Sequence, residues 1–313
     1  MSELTAAHET VLLQEAVDAL VTNPEGVYID ATFGRGGHSR LILDRLGDTG
    51  KLIAIDKDID AVNEARSLFG KDDRFEIVHG SFADLEQHLA QQGLVEVDGV
   101  LADLGVSSPQ LDNADRGFSF MKDGPLDMRM DRSRGMSASE WLSATTEQEL
   151  VQVLRDYGEE KFAKRIAGAI KAGCQTGPIK TTLELANLVK DANPSWEKHK
   201  HPATRAFQAI RIKVNNELLD LESLLESAAK SLALNGRLVM ISFHSLEDRI
   251  VKRFMRGKVK GNVPPPNVPV FEKDIVRHFK TIGKALKPSD KEVSNNIRAR
   301  SAVMRVLEKM THE

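Results

Sequence analysis

Two hydrophobic periods alternate along the first hundred residues. Short apolar runs, typical of buried strands, occur at 27–31, 52–55, 75–78 and 97–102. Apolar residues that recur at helical spacing predict helices at 11–20, 38–46, 59–69 and 83–92. Strands and helices in this order form a parallel sheet with right-handed crossovers. The pattern therefore predicts an α/β fold with a doubly wound, mainly parallel sheet.

The alternation ends after residue 104. Residues 105–136 are rich in Gly, Ser, Asp and Pro, and we expect irregular structure there. Helical patterns follow, with capping-box signatures from Thr146 to Glu149 and from Thr181 to Glu184. Two further helices are predicted at about 160–172 and 203–232, and strands return at 238–243 and 302–307.

This change of pattern predicts a helical domain inserted into an α/β core. We place the core at residues 1–112 and 213–313 and the insert at 113–212. Residues 250–313 carry 15 Lys and Arg against 6 Asp and Glu, which leaves the rest of the chain at −12. A basic C-terminal region of this kind suits a phosphate backbone, although lysine-rich faces are usually just solvated.

The first predicted strand runs into a glycine-rich turn, Gly34-Arg-Gly36-Gly37-His38. Glycines permit a sharp turn and the close approach of a ligand, and the next helix offers free N–H groups to an anion. Asp56 ends the second strand, where such folds place a carboxylate that accepts both hydroxyls of a ribose. Together these residues predict a cofactor that contains adenosine.

The same turn argues against a dinucleotide. NAD is disfavoured because the dinucleotide fingerprint requires a third glycine where Ser39 stands. S-adenosylmethionine has no phosphate, and its methionine carboxylate suits the N–H groups of residues 36–38. Phe82, just after the third strand, either stacks on adenine or belongs to the core.

Candidate reacting groups follow two later strands. Asp103 ends the fourth strand, and ligands in open α/β sheets bind at the carboxyl ends of the strands. A carboxylate there would localise the lone pair of a nucleobase amine and help remove its proton; alternatively, it only bonds backbone at the strand end. His244 and Ser245, after the fifth strand, are candidates for substrate contact or proton transfer. Residues 247–249 would cap the next helix.

Composition excludes several classes of protein. The 313 residues have one cysteine and no apolar run of membrane-spanning length, and the first ten residues do not resemble a secretory signal. We therefore expect a cytoplasmic protein without a disulfide. No metal site is predicted, because His199 and His201 lack further ligands. Magnesium at Asp127, Asp131 or Asp248 stays open.

These residues lie in longer segments that resemble, over essentially the whole chain, the bacterial RsmH (MraW) family of S-adenosylmethionine-dependent methyltransferases. The segments are His8-x-Thr-Val-Leu-Leu13, Asp30-Ala-Thr-Phe-Gly-Arg-Gly-Gly-His38, Asp103-Leu-Gly-Val-Ser-Ser-Pro-Gln110, Arg116-Gly-Phe-Ser-Phe120, Gly124-Pro-Leu-Asp-Met-Arg-Met-Asp131, Tyr157-Gly-Glu-Glu-Lys-Phe-Ala-Lys-Arg-Ile166, His201-Pro-Ala-Thr-Arg205 and Ser242-Phe-His-Ser-Leu-Glu-Asp-Arg249. One departure is Ile297, which replaces a proline of the family. A second feature, which the family shares, is Asp103-Leu-Gly-Val in place of the Asp/Asn-Pro-Pro-Tyr tetrad of DNA amino-methyltransferases. The aromatic residue that would stack on the target base is therefore not identified.

The resemblance implies a Rossmann-like class I methyltransferase whose helical insert recognises the substrate. The implied reaction is methylation of a cytosine N4 in small-subunit (16S) ribosomal RNA. Our own hypothesis from the residues is in-line transfer, with Asp103 and His244 as the catalytic candidates. The implied cofactor contacts are Gly36, Gly37, His38, Asp56, Phe82, Asp103 and Gln110. The expected partner is this RNA within an assembled or nearly assembled subunit, with no membrane involved and a homodimer left open.

Two rival functions come from other classes. A nucleotide-dependent oxidoreductase is disfavoured by Ser39 and by the helical insert. An RNA chaperone that keeps the cofactor pocket as a structural prop is disfavoured by Asp103, which lies where chemistry occurs in such sheets.

Overall fold

The computed structural model describes residues 10–195, 201–262 and 275–311. Within them the strands are β1 (Val27–Asp30), β2 (Lys51–Asp56), β3 (Phe75–His79), β4 (Val97–Asp103), β5 (Leu232–Ser242), β6 (Phe279–Thr281) and β7 (Val303–Lys309). The helices are α1 (Leu13–Leu20), α2 (Gly37–Arg45), α3 (Ile59–Phe69), α4 (Leu85–Gln91), α5 (Ser108–Asp112), α6 (Ala138–Ala144), α7 (Glu147–Asp156), α8 (Ala163–Thr176), α9 (Thr182–Ala192), α10 (Thr204–Asn215), α11 (Glu217–Ser231), α12 (Ser245–Lys260) and α13 (Asp290–Asn295). His8 and His199 lie outside the described residues. None of the described helices is long and apolar enough to span a bilayer.

The strands form one sheet in the order β3-β2-β1-β4-β5-β7-β6. All pairs among β1 to β5 are parallel, whereas β7 runs antiparallel to both β5 and β6. This sheet confirms the predicted α/β class with a mainly parallel sheet. It places the carboxyl ends of β2, β1 and β4 next to one another.

The described residues within 1–105 and 219–313 form one compact unit. Successive side chains of a strand point to opposite faces of the sheet, so each face has its own core. Leu101 packs in one cluster with Ile42 of α2, and Ala102 packs in the other with Leu225 of α11. All four side chains are buried, which anchors the strand that ends at Asp103.

The described residues within 106–218 form a second compact unit, and both predicted limits of the insert, 113 and 212, fall inside it. Its core consists of apolar residues from α6 to α10 and from the segment before α6. Thr146 and Thr181 accept hydrogen bonds from the N–H groups of Glu149 and Glu184, which confirms both as N-caps. The reciprocal bond of a capping box is present at Thr181, whereas the Glu149 side chain bonds to Thr145 instead. The helical character predicted here is therefore confirmed.

The predicted helix at 203–232 is in fact two helices. Asn216, between α10 and α11, has a left-handed backbone with φ 54° and ψ 30°. Asn tolerates this conformation better than most residues and commonly ends helices in it. The apolar spacing continues through the break, so the periodicity alone gave no sign of it.

Residues 105–136 are more ordered than predicted. Ser107 and Gln110 form a capping box around α5, and Pro109 lies in its first turn, where a missing N–H costs nothing. Strand β5 begins at Leu232 instead of residue 238, directly after α11. The short elements β6, α6 and α13 were not predicted, because each is too brief to establish a period.

Candidate active site

Three neighbouring strand ends each carry a carboxylate: Asp30 on β1, Asp56 on β2 and Asp103 on β4. Burial raises the pKa of Asp30 and of Asp56 to about 6. Burial also raises the pKa of Asp103 well above its usual range, and the charges of Asp30 and Glu247 raise it further. A cation bound at this edge would favour the ionised form of all three acids.

The turn after β1 needs glycine for its backbone and for space. Gly34 and Gly36 have φ values of 57° and 74°. A Cβ atom on Gly36 would lie 2.7 Å from the Phe33 ring, and one on Gly37 would lie 1.8 Å from the Thr10 hydroxyl oxygen. Contacts within the protein thus require both glycines, and the cofactor contacts predicted for them stay predictions.

Asp56 links this turn to β2. Its Oδ2 accepts a hydrogen bond from the Gly34 N–H at 2.8 Å, and its Oδ1 accepts one from the Asp58 N–H at 2.8 Å. Each carboxylate oxygen has a second acceptor position. The side chain therefore retains the capacity to accept two hydroxyl donors, as the predicted ribose contact requires.

Ser39, which breaks the dinucleotide pattern, has a partner that sequence reasoning missed. Its hydroxyl donates to Asp30 Oδ2 at 2.6 Å, and the Thr32 N–H donates to Asp30 Oδ1 at 3.2 Å. Asp30 and Ser39 are fully buried. A glycine at position 39 would leave a buried carboxylate oxygen without this donor. An acid that ends a strand and a serine in the first turn of the next helix are the signal for such a pair.

Asp103 has one carboxylate oxygen that no described residue pairs with. Its backbone N–H donates to Thr32 Oγ1 at 2.7 Å, and its Oδ2 lies 3.8 Å from Nδ1 of the buried His38. The other oxygen, Oδ1, is buried and accepts no hydrogen bond from the described residues. Buried acceptors are nearly always paired, so this atom marks a position where a ligand or a water would donate.

Phe82 begins a short 3₁₀ turn after β3. Its half-buried ring packs against the core that contains Leu225, and Lys57 Nζ lies 5.5 Å from the ring centroid. Lys57 is paired with Asp220, which also accepts a hydrogen bond from the Ser81 hydroxyl at 3.0 Å. The ring therefore has core contacts and keeps exposed surface, so adenine stacking stays a prediction.

His244 is the N-cap of α12. Its Nδ1 accepts a hydrogen bond from the Glu247 N–H at 3.4 Å, and its Nε2 lies 3.1 Å from Glu247 Oε1. Glu247 accepts hydrogen bonds from the N–H groups of Phe243 and His244 at 2.8 and 3.2 Å, which confirms its predicted capping role. Nδ1 thus serves the helix cap, whereas Nε2 is buried and makes no hydrogen bond with the described residues, and catalysis by His244 stays a prediction.

Gln110 belongs to the second unit. Its side chain is buried, and its Oε1 accepts a hydrogen bond from the Ser107 N–H at 3.0 Å. This bond completes the capping box of α5. The structure thus gives Gln110 a role in the helix cap, and its implied cofactor contact stays a prediction.

The carboxylates considered for magnesium each face an arginine. Asp127 lies 2.8 Å from Arg129 Nε, and Asp131 lies 3.7 Å from Arg134 Nε. Asp248 accepts two hydrogen bonds from Arg305, at 2.7 and 3.1 Å. A divalent ion would have to compete with these cations.

Known proteins resemble the chain over nearly its full length. The ribosomal RNA small subunit methyltransferase H of Legionella pneumophila (strain Corby) is 56% identical over 306 residues, which cover 97% of this chain and 99% of the relative. The protein of the same name from Marinomonas sp. (strain MWYL1) is 54% identical over 312 residues, 99% of this chain and 100% of the relative.

Solved structures also align with the chain. An rRNA methylase from Streptococcus thermophilus has a TM-score of 0.43 at 10% identity, with coverage of 98% of this chain and 100% of that one. Aeropyrum pernix fibrillarin in complex with S-adenosyl-L-methionine has a TM-score of 0.40 at 9% identity, with coverage of 94% and 73%.

The sequence model of one protein family spans almost the whole chain. It matches residues 5–310 and is described as the MraW methylase family. The match and the curated relatives confirm the resemblance inferred from the motifs. The chain therefore belongs to the MraW methylase family.

Proposed function

We propose that this protein transfers a methyl group from S-adenosylmethionine to N4 of a cytosine in 16S ribosomal RNA, by direct in-line transfer. Its family and the names of its relatives support a small-subunit ribosomal RNA methyltransferase. The choice of cytosine as the base, of N4 as the methylated atom and of in-line transfer goes beyond what the family and these names support. The observation that carries the proposal is the buried Asp103 Oδ1 at the end of β4, which accepts no hydrogen bond within the described part of the chain.

The strand ends suit S-adenosylmethionine. When bound, this cofactor supplies an electrophilic methyl group on a positively charged sulfur. Asp56 would accept the ribose hydroxyls, Phe82 would stack on the adenine, and the N–H groups of residues 36–38 would hold the methionine carboxylate. The three carboxylates with raised pKa values favour a nearby positive charge.

Asp103 would orient the attacking amine. The lone pair of a cytosine N4 is delocalised into the ring, so the amine is a weak nucleophile. A hydrogen bond from N4 to Asp103 Oδ1 localises that lone pair, and the carboxylate then accepts the proton. His244 Nδ1 is already used as the acceptor of the helix cap, so we assign proton transfer to Asp103.

The substrate is expected to be the RNA within an assembled or nearly assembled small subunit, in the cytoplasm. Such a target requires the cytosine to leave its neighbours and enter the site, as base-modifying enzymes commonly arrange. Arg298 and Arg300 in the basic C-terminal region are exposed, which suits phosphate contacts.

The test measures N4-methylcytidine in small-subunit RNA by mass analysis of nucleosides. Cells lacking the gene receive the wild type, Asp103→Asn or Asp103→Ala. We expect the nucleoside to vanish without the gene and to return only with the wild type. With purified enzyme, Asp103→Asn should slow turnover by roughly 10²- to 10⁴-fold while cofactor binding persists.

Two results would contradict the proposal in different ways. If N4-methylcytidine persists in cells without the gene, the RNA target is wrong. If Asp103→Asn turns over at nearly the normal rate, the assigned role of the carboxylate is wrong. A melting temperature equal to that of the wild type controls for misfolding of the variants.

A further inference from the structure

An aromatic stack in the second unit leads from its core to its surface. Phe207 of α10 is buried, Phe120 is half-buried and His201 is exposed. The centroids of Phe120 and Phe207 are 4.8 Å apart in an edge-to-face contact. The rings of Phe120 and His201 lie 4.6 Å apart at an interplanar angle of 34°. The Phe120 ring thus contacts both other rings and connects the exposed His201 ring to the buried Phe207.

Hydrogen bonds fix the orientation of His201. Its Nδ1 accepts a hydrogen bond from the Ala203 N–H at 3.2 Å, and its carbonyl oxygen accepts one from the Thr204 N–H at 3.0 Å. These bonds already hold the residue at the start of α10. Stacking of a ligand on the ring would therefore cost little further side-chain entropy of His201. An asparagine could make the same side-chain bond, so capping alone does not require an imidazole ring.

The charge around the ring suits a nucleic acid. Partial burial and the charge of Lys190 both lower the pKa of His201, which favours the neutral imidazole. The lysine itself is exposed and supplies a positive charge for a phosphate. Met121, next to Phe120 in the chain, is 83% exposed and adds flexible apolar surface.

We propose that His201, supported by Phe120, is a stacking platform for an unpaired RNA base. Proteins recognise single-stranded RNA largely by stacking its bases on exposed aromatic rings, including histidine. The proposal rests on the proposed function only in taking RNA as the substrate. It assigns to the second unit a base contact separate from the reacting carboxylate.

Two opposite substitutions separate stacking from capping. His201→Asn keeps an acceptor for the Ala203 N–H and removes the ring, whereas His201→Phe keeps a flat ring and removes the acceptor. The probe is a single-stranded oligoribonucleotide that carries 2-aminopurine, whose fluorescence falls when it stacks. Wild type should quench the probe, His201→Phe should bind within about twofold of wild type, and His201→Asn should bind on the order of tenfold more weakly.

Phe120→Leu offers a second route to the same question, because it leaves His201 in place and removes the ring beneath it. We expect it to weaken quenching too. Equal melting temperatures and equal cofactor binding establish that each variant is folded. The inference is overturned if His201→Asn quenches and binds like the wild type, or if His201→Phe is as weak as His201→Asn.

Methylation of small subunits purified from cells without the gene separates this inference from the proposed function. If wild type and His201→Asn methylate with the same KM and rate, the platform is wrong and the methyltransferase stands. If the wild type transfers no methyl group, the proposed function fails, and the quenching experiment still decides whether the platform exists.

Discussion

Asp30 shows how a single buried residue links the site to stability. Its carboxylate is fully buried and is held by Ser39 and Thr32. Burial raises its pKa from 3.8 to about 6, because the charged form is poorly solvated. Protonation therefore favours the folded state. The stability that this residue contributes is full below pH 4 and is lost as the pH rises through 6.

Asp30→Asn should remove this dependence. The amide oxygen can accept the Thr32 N–H, and the amide nitrogen can donate to the Ser39 hydroxyl, which also accepts. The free energy of unfolding of the variant, relative to wild type, should rise by up to about 3 kcal/mol between pH 4 and pH 8. Denaturant unfolding of both proteins across this pH range measures the difference. Parallel plots of the free energy of unfolding against pH would refute the prediction.

The helix predicted at 59–69 from its apolar spacing matches α3. The structure shows that Asp58 caps its first turn and that Gly70 follows its last residue. The helix at 203–232 was predicted without its break, since neither Gly nor Pro marks Asn216. Periodicity identifies the buried face of a helix, and it does not report a single left-handed residue.

Asn216 allows that break to be tested. With φ at 54°, alanine at this position would incur the left-handed penalty of about 1 kcal/mol, which glycine avoids. Asn216→Ala should therefore lower the melting temperature, and Asn216→Gly should match or exceed wild type. Calorimetry of the wild type and the two variants measures these melting temperatures. Equal shifts with alanine and glycine would contradict the assigned backbone conformation.

At the scale of the whole molecule, strand order explains which site residues the sequence could predict. The strand-end positions of Asp56 and Asp103 could be predicted because each ends a strand whose pattern is clear, and the sheet places those ends near each other, on either side of β1. The bond from Ser39 to Asp30 depends on how α2 is rotated above the sheet, which no period reports. Sequence patterns likewise gave no sign that the side chains of His244 and Gln110 form helix caps.

Three arginines of the basic C-terminal region differ in exposure. Arg298 and Arg300 are exposed, whereas Arg305 is half-buried and donates two hydrogen bonds to Asp248. Removing one arginine–phosphate interaction should flatten the slope of log affinity against log salt concentration by about 0.7 to 0.9. We therefore expect Arg298→Gln with Arg300→Gln to weaken RNA binding and to reduce that slope.

Arg305→Gln is the matched control, because it removes the same kind of charge from the same region. Without its bonds to the half-buried Asp248, the free energy of unfolding should fall by about 1 kcal/mol, while the salt slope should stay near that of wild type. Filter binding of small-subunit RNA at several salt concentrations, with denaturant unfolding of each variant, measures both quantities. A slope that changes only with Arg305→Gln would place the RNA interaction at β7 instead, because Arg305 would then exchange its ion pair with Asp248 for one with a phosphate.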